Sequence, residues 1–329
     1  MSSGVSFDTV IEDRPGAAWR TLFQRVWPGY RAWFLRGGVA ERPRYPECRR
    51  ALRQHMPELV PVWESLVELA GGGDIEARFL SLWCPPPFIA GCSQTVWIDP
   101  AGKQEPALLR NYDYAPDLLE GTWLATRWRG ARVVAMSDCI WGALDGMNES
   151  GLVASLSFGG RAVSGRGFGV PVVLRYVLEV ADSTAAAVKL LQRVPISMTY
   201  NITLLDRDGN WATVYVAPDH PAEVTRETSV TNYQRGVQWT AHAKATNAVE
   251  RLRTLQGVAQ RSTSSAAVVK GLLEPPLYQR SYERGYGTLY TAAYYPRSRR
   301  VELHWPQQQW TQFVDEFVPG SRAIVYGDS

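Results

Sequence analysis

Apolar positions recur with two different periods along this chain, and the change between them divides it. From residue 17 to 82 the period is helical: residues 18–26 are amphipathic, and 48–69 continue the pattern up to Gly71-Gly72-Gly73. A short helix over 75–82 then meets the breaker Pro85-Pro86-Pro87. From Phe88 to Gly160 the pattern is strand and hairpin, with turns at Asp99-Pro100-Ala101-Gly102 and Asn148-Glu149-Ser150-Gly151. Helix returns over 170–180, and Asp182-Ser183-Thr184 caps a second helix over 185–193. Strands are predicted over 198–206, 211–216 and 223–232, helices over 245–255 and 264–273, and a last hairpin over 287–295 and 300–305. Strands alternating with helix pairs predict two packed sheets with helices outside. No internal repeat or dividing linker is visible.

Composition changes this picture little. The 329 residues suffice for a large core, with 45% hydrophobic and 20% charged residues, as in ordinary globular proteins. A net charge of +3 with scattered basic residues gives no reason to expect a nucleic-acid partner; Arg297, Arg299 and Arg300 read as a solvated hairpin tip. Thirteen tryptophans and fifteen tyrosines imply large flat surfaces in a core or a pocket. There is no signal-type stretch in residues 1–20 and no membrane-span pattern. Cys48, Cys84, Cys92 and Cys139 lack CxxC spacing, so a cytoplasmic chain with reduced thiols is expected.

Candidate chemistry centres on Cys92, in Phe88-Ile89-Ala90-Gly91-Cys92-Ser93-Gln94-Thr95-Val96-Trp97. A free thiol, with a reference pKa of about 8.5, needs a base. None of His55, His220, His242 and His304 has a motif-like setting. A terminal α-amine, at about 7.7–8.0, would serve if the chain were cut between Gly91 and Cys92. Gly91 suits such a cut because glycine reaches backbone angles closed to other residues. Taken alone, Cys92 is equally a buried strand cysteine. Eighteen residues on, Arg110-Asn111-Tyr112-Asp113 would pair with its strand, so that Asp113 could hold the amine and Arg110 favour the thiolate. The plain alternative is a surface ion pair.

Together these motifs resemble the acyl-CoA:6-aminopenicillanate acyltransferase-like, linear amide C–N hydrolase group of N-terminal-nucleophile hydrolases. Asp145-Gly146-Met147-Asn148-Glu149-Ser150-Gly151-Leu152 is similar to a hairpin of the related bile-salt hydrolases and penicillin V acylases, read here as structural. Ser229-Val230-Thr231-Asn232 resembles the step whose asparagine stabilises an oxyanion, and Arg251, in Thr246-Asn247-Ala248-Val249-Glu250-Arg251, falls where the family has an active-centre arginine. Read alone, Asn232 could satisfy a turn and Arg251 could lie on a solvated helix face. The resemblance covers about residues 40–310. It implies an α+β fold, a four-layer αββα sandwich of the N-terminal-nucleophile type preceded by a helical pro-segment. Residues 1–91 and 92–329 would be the fragments of self-cleavage, together one globular body.

The implied reaction is hydrolysis of a linear amide through a Cys92 thioester, or acyl transfer to an amine, with no cofactor. The expected partners are a small-molecule amide or acyl donor and the chain's own cleaved pro-segment, with no nucleic acid and no membrane. A scaffold that keeps the fold without turnover is the rival of another class. Ser157 stands where relatives carry a pocket asparagine or tyrosine, so their substrate preferences do not transfer. Gly165-Arg166-Gly167-Phe168-Gly169 lacks the spacing of a dinucleotide site and reads as a mobile loop beside the pocket, where Arg161 and Arg166 would attract an acidic substrate. Asp206-Arg207-Asp208-Gly209-Asn210 does not continue as a calcium loop, and Cys48, Cys84 and His55 fit no zinc spacing.

Overall fold

The computed structural model describes residues 3–327, Ser3 by its backbone alone. Positions 1–2 and 328–329 of the two expected fragments lie outside the described residues. The chain opens with strand β1 (Ser3–Glu12), then helices α1 (Ala17–Phe34), α2 (Tyr45–His55), α3 (Val60–Leu69) and α4 (Asp74–Ser81). Strands β2 (Gly91–Trp97), β3 (Ala107–Tyr114), β4 (Thr122–Thr126), β5 (Val133–Asp138), β6 (Gly142–Asn148) and β7 (Val153–Phe158) follow. Next come α5 (Val170–Val180), α6 (Thr184–Arg193), β8 (Tyr200–Leu205), β9 (Trp211–Ala217), β10 (His220–Thr225) and β11 (Ser229–Val230). Helices α7 (Thr240–Ala245), α8 (Ala248–Arg261) and α9 (Ser265–Leu272) precede β12 (Gly287–Tyr295), β13 (Arg300–Trp305), β14 (Gln308–Phe313) and β15 (Ser321–Tyr326).

Within the described residues these strands form two sheets. One has nine strands, in the order β10-β9-β8-β7-β6-β5-β4-β1-β15; the other has six, β11-β2-β3-β12-β13-β14. Strand β2 packs against β7 and β8, so the sheets lie face to face. Helices α5 and α6 cover the larger sheet, and α8 and α9 the smaller one. That is the expected four-layer αββα sandwich.

Period-two alternation sorts each strand between these layers. On β2 and β3, Cys92, Val96, Leu108 and Tyr112 join the main core, while Trp97, Ala107 and Leu109 pack with Leu255, Val268 and Leu272 of the outer helices. No helix of the described residues is long and apolar enough to cross a membrane.

The helices expected over 17–82 are present, but the upstream segment is not purely helical. Strand β1 runs parallel to β4 and antiparallel to β15, inside the nine-stranded sheet. The stretch 223–232 is also not one strand. Its first part pairs with β9 in the large sheet and its last part, β11, with β2 in the small one. The chain therefore changes sheets between Thr225 and Ser229, a step that an apolar pattern does not reveal. Strands β14 and β15, not anticipated, extend the edges.

Candidate active site

Gly91 and Cys92 begin β2, and the antiparallel register sets Gly91 opposite Asp113, Cys92 opposite Tyr112 and Gln94 opposite Arg110. The pleat then directs neighbouring groups to opposite sides of the sheet. Arg110, like Leu108 and Tyr112, faces the second sheet and donates from Nη2 to Cys92 Sγ at 3.0 Å. Its Nη1 donates to Asp145 Oδ2 and to the Leu144 carbonyl, each at 2.7 Å. Asp113 faces the outer helices with Leu109 and Asn111. Its carboxylate accepts from Arg251 of α8, an ion pair with both side chains fully buried, and from Thr288 Oγ1 at 2.7 Å. Arg110 and Asp113 are thus not paired with each other, and neither is on the surface. Arg251 is not on a solvated helix face; it bridges Asp113 and Asn232, reaching Asn232 Oδ1 at 3.4 Å.

Asn232 is oriented from both ends. Its Oδ1 accepts from the Cys92 backbone N–H at 3.0 Å, and its Nδ2 donates to the carbonyls of Ala90 at 3.3 Å and Phe158 at 3.5 Å. The neighbouring Thr231 carbonyl is gripped by Ser157 Oγ at 3.2 Å and Asn201 Nδ2 at 2.9 Å. Gly160, at φ +70°, lets the chain pass against the Asn232 backbone where a side chain could not fit. Ser157 is fully buried, and its hydroxyl positions the Asn232 segment from beneath.

Electrostatics in the uncut chain favour the thiol. Burial pushes the Cys92 pKa up to about 11; Arg110 pulls it down and Asp113 adds to the rise. Arg110 favours the thiolate, as expected of it, but desolvation outweighs a single guanidinium. Burial also opposes charge on Arg110, but Cys92 and Asp145 outweigh it and hold the guanidinium charged.

Gly91 is glycine for space rather than for backbone angle: its φ is not in the left-handed region, and a β-carbon there would strike the Tyr286 hydroxyl. Arg161 and Arg166 stand apart from this group. Arg161 pairs with Asp219, Nη1 to Oδ1 at 3.0 Å, and with Gln238; Arg166 pairs with Glu47 at 3.4 Å and lies over Trp83. The open surface hollows they line include none of the residues around Cys92.

Nor is the glycine-rich stretch a mobile loop. Backbone hydrogen bonds from Gly165 to Ser197, Phe168 to Pro195, Gly169 to Leu82 and Cys84 to Gly167 pin it, and Gly167 lies on the Ile196 backbone. A narrow cleft barely wide enough for water lies beside Phe88 and Tyr200 instead, lined also by Cys139 and Met198 and closed by Pro85 and Pro86. Tyr200, whose phenol senses the Cys92 charge, donates to the Phe88 carbonyl at 2.8 Å.

Several participants were not legible in the sequence. Asp145 lay inside a quoted motif but was read as turn structure. It accepts from Arg110, from Tyr290 at 2.6 Å and from Tyr294, so it anchors the arginine. The spacing of Tyr290 and Tyr294, four apart on one strand face, was the available signal. Thr288, Asn201 and Tyr286 carried none.

The structure thus sets a buried strand cysteine, with an arginine on its sulfur and an asparagine on its backbone N–H, between two sheets flanked by helices. The family model described as acyl-coenzyme A:6-aminopenicillanic acid acyl-transferase matches residues 100–310, and the chain belongs to that family. No curated protein matches.

Solved structures similar to this chain include penicillin V acylase from Agrobacterium tumefaciens, at 15% identity and TM-score 0.47 over 67% of this chain and 84% of that one. The N-acylethanolamine-hydrolyzing acid amidase ortholog of Caenorhabditis elegans is similar at 16% identity and TM-score 0.49, over 67% of this chain and 99% of that one. A mutant conjugated bile acid hydrolase from Clostridium perfringens is similar at 12% identity and TM-score 0.48, over 72% and 97%.

Proposed function

We propose that the chain is a self-processing cysteine amidohydrolase that cuts a linear amide, an N-acyl amino acid or a similar small molecule, through a Cys92 thioester. The observation that carries this reading is the convergence on one peptide bond: Arg110 at 3.0 Å from the Cys92 sulfur and Asn232 at 3.0 Å from the Cys92 nitrogen. In the first event the sulfur adds to the Gly91 carbonyl carbon and the thiol proton passes to the Cys92 nitrogen. The C–N bond then breaks, leaving a Gly91 thioester and a free amine, and water releases the Gly91 carboxylate and restores the thiol.

That amine is the base the intact chain lacks. At about 7.7–8.0 its reference pKa suits neutral pH, and Asp113 stands opposite Gly91 to hold it. Cleavage also detaches Ala90 and Phe88. Asn232 Nδ2 then loses its Ala90 acceptor and can donate to the oxyanion of a substrate, and the Phe88 segment can leave the space in front of Tyr200. In turnover the sulfur attacks the substrate carbonyl, the amine product departs with a proton from the Cys92 amine, and water resolves the thioester. The cleaved pro-segment remains as a partner.

Family membership favours a second reading, in which an amine rather than water takes the acyl group. Intact mass tests the first event: fragments 1–91 and 92–329 are expected from the wild type, and only the full-length chain from Cys92→Ala. Cutting that persists in Cys92→Ala would remove Cys92 as the processing nucleophile. Product partition from an amide substrate under increasing free amine separates the two readings, because dominant amide-exchange product at millimolar amine would make the enzyme an acyltransferase.

A further inference from the structure

Tyr286 belongs to none of the motifs, yet its phenol occupies the place a side chain on Gly91 would need. The local chain is arranged to bring it there. Gly285 turns the backbone at φ +69°, and Gly287 lies so close to the Tyr282 ring that a β-carbon could not be accommodated. The tip before it, Glu283 to Gly285, is exposed, so Tyr286 reaches inward from a surface turn. Its phenol lies on the helix side of β2, close enough to the Asp113 and Arg251 charges to respond to both. Its hydroxyl oxygen is buried beside the Arg251 guanidinium, which can only donate to it, so the phenol's own proton has no acceptor among the described residues.

A buried O–H proton without an acceptor costs stability, and such groups persist where a later state uses them. Here the state is available. The oxygen bears on the residue whose carbonyl carbon becomes tetrahedral when the chain is cut, and that step creates one new strong acceptor. Burial first, then the Asp113 carboxylate, push the phenol pKa up, so the group keeps its proton at neutral pH and can act as a donor.

We propose that Tyr286 is a further residue of the cleavage step: it holds Gly91 in place with its ring and donates from its hydroxyl to the Gly91 oxygen as that oxygen becomes an oxyanion. The proposal rests on the self-cleavage reading. It adds no proton transfer to that scheme, because the phenol donates a hydrogen bond and keeps its proton. It also accounts for the glycine at position 91, since a side chain there would displace the donor.

The test follows the cut fraction by intact mass after cell-free synthesis of wild type, Tyr286→Phe and Tyr286→Ala. Folding is checked by Tm, with each substitution also made in the uncleavable Cys92→Ala background. Tyr286→Phe keeps the ring and loses only the donor. The expected result is cleavage slowed by roughly 10²-fold, the scale of losing one oxyanion donor, with a Tm no more than about 4 °C below that of Cys92→Ala alone, the loss of one accepted hydrogen bond. Such a split is not what a structural hydroxyl would give. Wild-type cleavage rates in Tyr286→Phe, with loss only in Tyr286→Ala, would reduce the residue to packing and overturn the donor role. Slow cleavage accompanied by a Tm loss beyond that of one hydrogen bond, more than about 4 °C, would overturn it as well. A wild-type chain that stays whole would overturn the self-cleavage reading itself, whereas a cutting wild type beside an equally fast Tyr286→Phe overturns this proposal alone.

Discussion

At the residue scale, the arrangement separates groups that serve the sulfur from groups that serve the nitrogen, and each variant should report one of them. Asn232→Ala removes the one side-chain amide beside the Cys92 nitrogen. If it supplies the oxyanion donor, kcat should fall by about 10²–10³-fold with a smaller effect on KM. A change confined to KM would make Asn232 a substrate-binding residue. Asp145→Ala leaves Arg110 charged and buried without its carboxylate, and stability should drop by about 3–5 kcal/mol in urea unfolding. A loss below about 1 kcal/mol would show that Tyr290, Tyr294 and the Leu144 carbonyl do not depend on Asp145 for their order. Cys92, Arg110 and Asp113 were legible because type and spacing place them on adjacent strands, whereas Asn232, just past β11, was read only from the resemblance. The Arg251 burial was not, since its partner Asp113 lies 138 positions away. Asp145 was visible as a letter but not as a charge, because a turn motif explains it sufficiently until Arg110 is seen to face it.

At the element scale, Glu120, just before β4, and Asp138, at the end of β5, form a buried acidic pair that no motif announced. Burial, then the neighbouring Asp138 charge, push the Glu120 pKa up to about 7, and burial pushes that of Asp138 up to about 6. Tyr30 from α1 donates to Glu120 at 2.5 Å and to Asp138 at 3.1 Å, while the Ile140 N–H donates to Glu120 at 2.6 Å. Cys139 and Ile140, at φ +54° and +74°, are held in left-handed backbone to permit these contacts. An acid whose folded pKa is raised holds its proton more tightly when folded. Its contribution is therefore complete below the unfolded value, near 4, and is lost as pH rises toward about 7. Unfolding free energy measured against pH should accordingly fall across that window more steeply in wild type than in Glu120→Gln. Parallel curves would show that the pair does not titrate as a unit with folding. The same scale exposes the limits of periodicity: residues 198–216 and 287–305 read correctly because each strand stays in one sheet. Residues 223–232 misled because the apolar pattern continues through a change of sheet, and the glycines at 165–169 suggested freedom where the backbone hydrogen bonds are satisfied.

For the whole molecule, the proposed cut would divide a chain whose two parts share one core. Trp19 of the upstream part donates to the Ile140 carbonyl at 3.2 Å, Trp141 of the downstream part donates to the Leu80 carbonyl at 2.9 Å, and Phe7 packs edge-on to Trp305 at 5.0 Å. The main apolar cluster runs without a break from Trp19, Phe34 and Phe79 into Trp141 of the β5–β6 turn and the sheet residues Leu156 and Tyr290. The sequence showed that the upstream helices were amphipathic but not what their faces met. It also missed β1, whose ten residues occupy an interior position in the large sheet. An interior strand cannot leave without exposing two rows of backbone donors and acceptors and the apolar faces beside it. The fragments are therefore expected to remain one particle after cleavage. On denaturing electrophoresis the processed protein should give two bands, yet in native size-exclusion chromatography and native mass spectrometry it should keep the size of the uncut Cys92→Ala chain. Deleting residues 3–12 should cost the protein its fold rather than merely slow its cleavage, seen as loss of a cooperative unfolding transition. If the cut fragments instead separated in native buffer, the shared core would be a property of the uncut chain alone, and the upstream part would act as a removable pro-piece.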